Sequence, residues 1–495
     1  MKKFFAAHWI VIASIAAFIA LRIIALSQHD IPYWDAAIYV GMGKYLFSHG
    51  MIGTWEILRP VALPIILGSF WKIGVNPYTA GMVFSLIISA GTLVLVYVFA
   101  EDIKKGAGDI AVLLLAATPV FFTYSAIPVT DIVSTFFALL SLWLVYKAAA
   151  SRHYLVVGLV VAVAFMFRFP QGLLLLTTMV VTVIKMFPSF AKATARQSNW
   201  NDRIVTMIER VFLIGGGFCL IAVPFLVVNY YFYHNAFLPF VQATASINGY
   251  PSLYNKGIWF YLLQLLKEDF LLALALVPIA MLGQKKYYSK AVTVLLTVLV
   301  IVGGYFVVYQ AHKELRYALA FLPYVAILAG AGVMYILEWT KMPRLLFFGL
   351  FLIVVFMFSA SMFVYRSGDP EAPAFYAFDT YFVQTPGARL LPQGGQARIL
   401  TTSPYTLAYS NVLITHNLYA DWNAAYSDYN TFRSTNDYIA LSSCSLELNC
   451  PDDGGHCTDD KQLLLDELNK QDTLVFKTTT PTPDNCVLEI YKIKH

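Results

Sequence analysis

Charge is what this sequence has least of: Asp, Glu, Lys and Arg make up 13% of its 495 residues, against 59% hydrophobic residues. A soluble globular chain carries roughly 25% charged residues, and a disordered chain has far fewer apolar ones, so both classes are excluded. Cysteine is scarce, with five in all, four of them after residue 440. No Asn-x-Ser/Thr sequon occurs, so nothing points to N-glycosylation. No basic patch interleaved with aromatics lies outside the apolar runs, which argues against a nucleic-acid partner.

Long apolar runs are what the chain has in abundance. A helix crosses a hydrocarbon core with about 20 mostly apolar residues. Eleven runs meet or approach that length, near residues 8–27, 78–100, 110–127, 132–149, 154–167, 171–187, 211–232, 270–283, 291–309, 317–337 and 345–363. Lys and Arg favour cytoplasmic loops, and Lys2, Lys104, Arg152, Arg203, Lys285 and Lys341 all fall on one side of that count. The reading is a multi-pass plasma-membrane protein with a cytoplasmic N-terminus. Ala25-Leu-Ser27 loosely resembles a signal-peptide cleavage site, but Arg22 interrupts the apolar stretch and ten runs follow, so the first is read as an anchor.

The charge divides along the chain. Residues 364–495 hold 9 basic and 16 acidic residues, a net of −7, which leaves +12 for residues 1–363. The expected organisation is a transmembrane domain over 1–363 and a small extracytoplasmic α/β domain over 364–495. Segments 398–402, 437–441 and 487–493 read as strands. Residues 460–470 read as a helix with Leu463, Leu464, Leu465 and Leu468 as its apolar positions. Cys444, Cys450, Cys457 and Cys486 fall in this domain at a spacing unlike a zinc ribbon, and an extracytoplasmic setting favours disulfides, so two bridges are expected. In the first outer loop, Tyr39, Met42, Leu46 and Phe47 recur at helical spacing, which predicts amphipathic helices along the interface.

Several residues could carry chemistry. Asp35, in Tyr33-Trp-Asp-Ala-Ala, reads either as a helix N-cap or as a carboxylate whose partial desolvation would raise its pKa and suit it as a general base. Asp131, in Pro128-Val-Thr-Asp-Ile, is a cap or a second site acid at a tight corner between two runs. Glu56 and Arg59 have the spacing of a helical salt bridge, although a guanidinium also suits an anion. Arg168 stands nearly alone among apolar residues, and Lys313, Arg316 and Tyr317 open a late apolar run. Arg59, Arg168, Lys313 and Arg316 on the outer face run against the positive-inside bias, and an anionic ligand would explain them.

The order of these elements resembles the GT-C superfamily of polyprenyl-phosphate-sugar-dependent glycosyltransferases, family 39 type, which includes protein O-mannosyltransferases and lipid A aminoarabinose transferases. An acid follows the first span, Arg59-Pro leads into the second, Asp131 sits at the next outer corner, and Arg316-Tyr precedes an apolar run. The resemblance implies a GT-C-like helical membrane fold and a polyprenyl- or dolichyl-phosphate sugar donor. The acceptor would be a protein, glycolipid or glycan hydroxyl. It casts Asp35 as the base, Asp131 as a catalytic-site acid that helps bind the acceptor or shape the site, Arg316 as a phosphate contact, and Glu56 and Arg59 as residues lining the donor cavity. Many members carry Asp-Glu at the first acid, whereas Ala36 follows Asp35 here. That departure does not support a divalent metal; the expectation is that no cofactor is required, with metal dependence left open. The rival classes are a lipid-linked sugar flippase, a surface-glycan polymerase or ligase of the same fold, and a non-catalytic scaffold. The acids cluster at span ends and no internal repeat is evident, which disfavours a transporter.

Overall fold

A computed structural model describes residues 2–27, 33–193, 200–249, 255–280, 290–340, 381–382, 397–418, 422–442, 456–479 and 487–495. The chain divides into two compact units. One comprises Met1–Gln28, Phe84–Ala126 and Thr130–Tyr365; the other comprises His29–Val83, Ile127–Val129 and Arg366–His495. The division therefore takes the first loop out of the linear 1–363 segment and groups it with the C-terminal segment.

The first unit is helical. Among the described residues, seven helices of the chain are long and apolar enough to cross a membrane: His8–Leu26, Pro77–Ile103, Thr130–Lys147, Phe169–Met186, Asp202–Tyr233, Lys290–Tyr309 and Leu322–Thr340. The protein is a multi-pass membrane protein. Three of the eleven expected spans are shorter or broken. The run 110–127 divides into Ala107–Ala117 and Pro119–Tyr124, because Pro119 has no N–H to continue the helical ladder. Residues 154–167 lie in the 17-residue Ser151–Phe167 helix, and the run from 270 begins as a 3₁₀ turn, Phe270–Ala275. The run 345–363 lies outside the described residues. Ser151–Phe167 packs tightly on Trp200–Tyr233: a Cβ on Gly158 would stand 2.0 Å from the Ile214 carbonyl oxygen, so only glycine permits this approach. Arg22, the charge inside the first span, is accommodated by donating to the Thr123 carbonyl at 2.6 Å while its guanidinium lies over Phe122.

The second unit is built on a five-stranded sheet in the order β2-β1-β3-β5-β4, with β1 Arg398–Thr401, β2 Leu413–Asn417, β3 Tyr438–Ser442, β4 Thr473–Thr479 and β5 Val487–Lys492. β1 runs parallel to β2 and β3, and β5 runs antiparallel to β3 and β4. This is the expected α/β domain with two further strands. Alternate side chains feed two cores. Leu400, Ile439, Leu441 and Tyr491 meet the helices Trp422–Phe432 and His456–Gln471, while Ile399, Tyr438, Ala440 and Ile490 face the side that holds Leu407 and Ile414. Cys444, Cys450 and Cys486 lie outside the described residues. Cys457 falls in His456–Gln471, but its side chain is not described.

Of the two helices in the first loop, Ala62–Lys72 is amphipathic as expected, burying Leu63, Pro64, Leu67 and Gly68 on one face, whereas Trp34–Phe47 is not. In Trp34–Phe47, every residue from Ala36 to Lys44 is buried, so the helix is covered all round and its apolar spacing marks a core element. Ala62–Lys72 covers one side. On another, Leu407 presses against Gly41, where a Cβ would come within 2.6 Å of its Cδ1. Lys44, 1% exposed, donates to the carbonyls of Leu407 (2.7 Å) and Ser410 (2.9 Å). Gly53 joins the β2 edge: its N–H donates to Val412 O and its carbonyl accepts from Ile414 N. An edge that would otherwise stay open is thereby paired.

Candidate functional site

In the sheet-bearing unit, Asp35 occupies the first turn of Trp34–Phe47. The N-cap is Tyr33, so the capping role open to Asp35 in the sequence is not the one it has. Arg59 instead holds it. The guanidinium pairs with Asp35 Oδ1 at 2.7 Å through Nη1 and with Glu56 Oε2 at 2.5 Å through Nε, and it lies 5.2 Å from the Tyr39 ring centroid. The turn that allows this is local, since Arg59 N–H donates to the Glu56 carbonyl. All three charged side chains are only 10–15% exposed. Two carboxylates sharing one planar guanidinium are fixed in orientation, with the cation offsetting the cost of their burial.

The membrane unit holds a second cluster. Asp131, 4% exposed in the first turn of Thr130–Lys147, is ion-paired with Arg168, the residue that ends Ser151–Phe167. The Arg168 guanidinium also lies over Tyr317 at 4.5 Å and Phe306 at 5.3 Å, a desolvated cation–π arrangement. Tyr317 donates through its hydroxyl to Glu314 at 2.8 Å, and Glu314 also takes Arg316 at 2.7 Å and His312 at 2.9 Å. Asp131, Arg168, Tyr317 and Arg316 therefore belong to one network centred on Glu314. Lys313 turns away from it, donating to the carbonyls of Lys256 and Gln310 and so bracing the loop that carries Arg316.

Beside this network lies a cavity of about 250 Å³ whose charged lining is Glu268, Lys313, Glu314 and Arg316. Burial pushes the Glu268 carboxyl up to about 7, even though it accepts a hydrogen bond from Val120 N–H. Its neighbour Asp269 is raised to about 7 for the same reason while capping the Phe270–Ala275 turn. Tyr261, on the helix Phe260–Glu268, is buried with no hydrogen-bond partner on its hydroxyl, within electrostatic range of Arg168, Glu314 and Arg316. Gln171, three residues beyond Arg168, is fully buried with neither amide atom partnered.

Sequence reading missed Glu314, Glu268, Tyr261 and Gln171. Two carried a signal: Glu268, in the charged triplet Lys267-Glu-Asp269 between apolar runs, and Glu314, between Lys313 and Arg316. Among the described residues, no three His, Cys, Asp or Glu side chains converge as metal ligands would.

The profile of the dolichyl-phosphate-mannose-protein mannosyltransferase family matches residues 59–195, a stretch that holds Arg59, Asp131 and Arg168. No curated protein sequence matches the chain. Among solved structures, ArnT from Cupriavidus metallidurans bound to undecaprenyl phosphate aligns over 98% of both chains, with a TM-score of 0.56 at 12% identity. The oligosaccharyltransferase of Archaeoglobus fulgidus aligns over 89% of this chain and 70% of its own, with a TM-score of 0.60 at 11% identity. This is the GT-C fold. Arabinofuranosyltransferase AftD from mycobacteria shares it over 99% of this chain and 40% of its own, with a TM-score of 0.54 at 13% identity. The GT-C resemblance read from the order of the sequence elements is thus shown for the fold, together with the helical membrane section and small sheet domain. Asp35 precedes the stretch that the family profile matches.

Proposed function

We propose that the protein is an inverting glycosyltransferase that moves a sugar from a polyprenyl-phosphate donor to an acceptor hydroxyl at the extracytoplasmic face. The observation that carries this reading is the GT-C fold, shared over nearly its whole length with a transferase solved bound to undecaprenyl phosphate. The family profile, itself that of a dolichyl-phosphate-mannose-dependent transferase, supports it.

Asp35 is the proposed base. Arg59 orients its carboxylate, which accepts the proton of the attacking hydroxyl. The hydroxyl oxygen bonds to the anomeric carbon as the bond to the phosphate oxygen breaks, and with no enzyme nucleophile the configuration inverts. Arg168 and Arg316 are the cations proposed for the lipid phosphate, whose negative charge grows as it leaves. Both are held by acidic partners, so the charge that meets the phosphate is oriented before the donor arrives. No metal or organic cofactor is assigned a step.

The test is turnover by the purified protein in lipid, with a panel of polyprenyl-phosphate sugars, with and without chelator. Wild type should release polyprenyl phosphate, and Asp35→Asn should abolish release while keeping a wild-type elution profile. Normal turnover by Asp35→Asn would remove the base assignment. Absence of turnover with every donor, accompanied by movement of intact lipid-linked sugar between leaflets, would replace the transferase with a flippase. Loss of activity on chelation would introduce a metal.

A further inference from the structure

At the far end of the Ser151–Phe167 helix from Arg168 lies a second cavity, of about 330 Å³. Seventeen residues at 1.5 Å each put it about 25 Å along that helix from the Asp131–Arg168 pair, most of a hydrocarbon core of roughly 30 Å. Arg203, Thr206 and Arg210 line it from one face of Trp200–Tyr233, at the i, i+3, i+7 spacing that stacks side chains over two turns. Lys185 and Tyr154 complete the polar lining, and among the described residues lining it none is acidic.

The three cations do different work. Lys185 uses all three of its donors on the carbonyls of Val145, Tyr146 and Ala148, closing the C-terminal end of Thr130–Lys147. It supplies field rather than a free donor. Arg210 lies over the Tyr154 ring at 5.1 Å and reaches the Ala149 carbonyl only at 3.3 Å, and its Nε is buried with no hydrogen-bond partner. Arg203 stands two turns away on the same face, partly exposed. Like charges gathered in one cavity repel each other. The bias of basic residues toward one membrane face explains their presence at this end but not their convergence. Of the acids at this end, Asp102 is paired with Lys147 at 2.7 Å, and Asp202 and Glu209 on Trp200–Tyr233 do not line the cavity.

The geometry points to a site for an anionic phosphate group, bound between Arg203 and Arg210 and separate from the proposed transfer site; Thr206, whose hydroxyl donates to the Asp202 carbonyl at 2.8 Å, only lines it. A phosphate would satisfy the orphaned Arg210 Nε and reduce the repulsion among the cations. Basic pockets between membrane helices at this depth suit the headgroup of an anionic phospholipid, and a free phosphate would offer the same chemistry.

The test uses the full-length protein in dodecyl maltoside, titrated separately with inorganic phosphate, dihexanoyl-phosphatidylglycerol and dihexanoyl-phosphatidylcholine while the melting midpoint is followed. Saturable stabilisation by phosphatidylglycerol but not phosphatidylcholine is expected. Arg203→Ala and Arg210→Ala should each weaken it about tenfold, the loss of one charge-assisted contact, while Lys105→Ala, an exposed lysine away from the cavity, should leave it unchanged. Arg210 is packed on Tyr154, so Arg203→Ala is the variant least exposed to misfolding. Saturation by inorganic phosphate as well would support the site and identify a free anion as sufficient; response to phosphatidylglycerol alone would support it and identify the lipid. The proposal is overturned by equal affinity for phosphatidylcholine, by unchanged affinity in Arg203→Ala, or by no saturable response to either anion.

Discussion

Replacing Arg168 by alanine removes a guanidinium that faces a carboxylate and two aromatic rings. The Arg168 side chain is 11% exposed and that of Asp131 is 5%. At an effective dielectric of about 20, unit charges about 4 Å apart attract by about 4 kcal/mol. Taking both ions out of water costs several kcal/mol, so the intact pair is close to neutral in net stability. Removal of one partner is different, because it leaves the desolvation cost of the other with nothing to offset it. Orphaning a buried charge costs about 3–5 kcal/mol, and the lost stacking on Tyr317 adds about 1 kcal/mol. Arg168→Ala should therefore destabilise the protein by about 5 kcal/mol and Asp131→Asn by about 4 kcal/mol. The double variant should cost less than their sum by about 2 kcal/mol, the coupling expected of contacting charges. Equilibrium unfolding of wild type, both single variants and the double variant in mixed micelles, followed by tryptophan fluorescence, measures this. Effects that add within about 0.5 kcal/mol, as independent sites do, would refute the buried pair as the organiser of this cluster.

Two further outcomes follow from single contacts. Lys44→Met keeps the length of the side chain but leaves the carbonyls of Leu407 and Ser410 without this donor. It should destabilise the sheet-bearing unit by about 2 kcal/mol and speed proteolytic cleavage near residues 404–410; unchanged cleavage would show that the lysine does not hold that segment. For Glu268, burial lifts the carboxyl from 4.5 to about 7, so between those values the native state binds a proton that the unfolded chain has released. The stabilising contribution is complete below 4.5 and is lost as pH rises through 7, by up to about 3 kcal/mol. Melting midpoints across this window should fall more steeply for wild type than for Glu268→Gln, and equal slopes would contradict the assignment.

Much of the membrane section could be read from composition, because hydrocarbon forces apolar residues into runs of one length and backbone groups into helices. The strands at 398, 437 and 487 were equally legible from their buried, β-branched character. The strands β2 and β4 were not: Leu413–Asn417 holds polar residues whose place in the sheet depends on pairing with β1, and Thr473–Thr479 is an exposed edge. The helix Trp34–Phe47 differs from its expected form for a related reason. Apolar residues at helical spacing predict one buried face, and nothing local in Trp34–Phe47 says that Leu407, some 360 residues on, will cover another.

The candidate site divides in the same way. The sequence alone determined which residues were out of place: Asp35, Arg59, Asp131, Arg168 and Arg316 are charges at the ends of apolar segments, and their cost in a low-dielectric setting makes them conspicuous without any structure. Only the tertiary structure decided their partners. Arg168 pairs with Asp131 across 37 positions and lies over Tyr317, and Glu314, between Lys313 and Arg316 in the linear order, becomes the acceptor on which Tyr317, Arg316 and His312 converge. Burial energies belong to single side chains and can be read one residue at a time. Pair energies fall steeply with distance, and that distance is set by helix packing that no local pattern encodes.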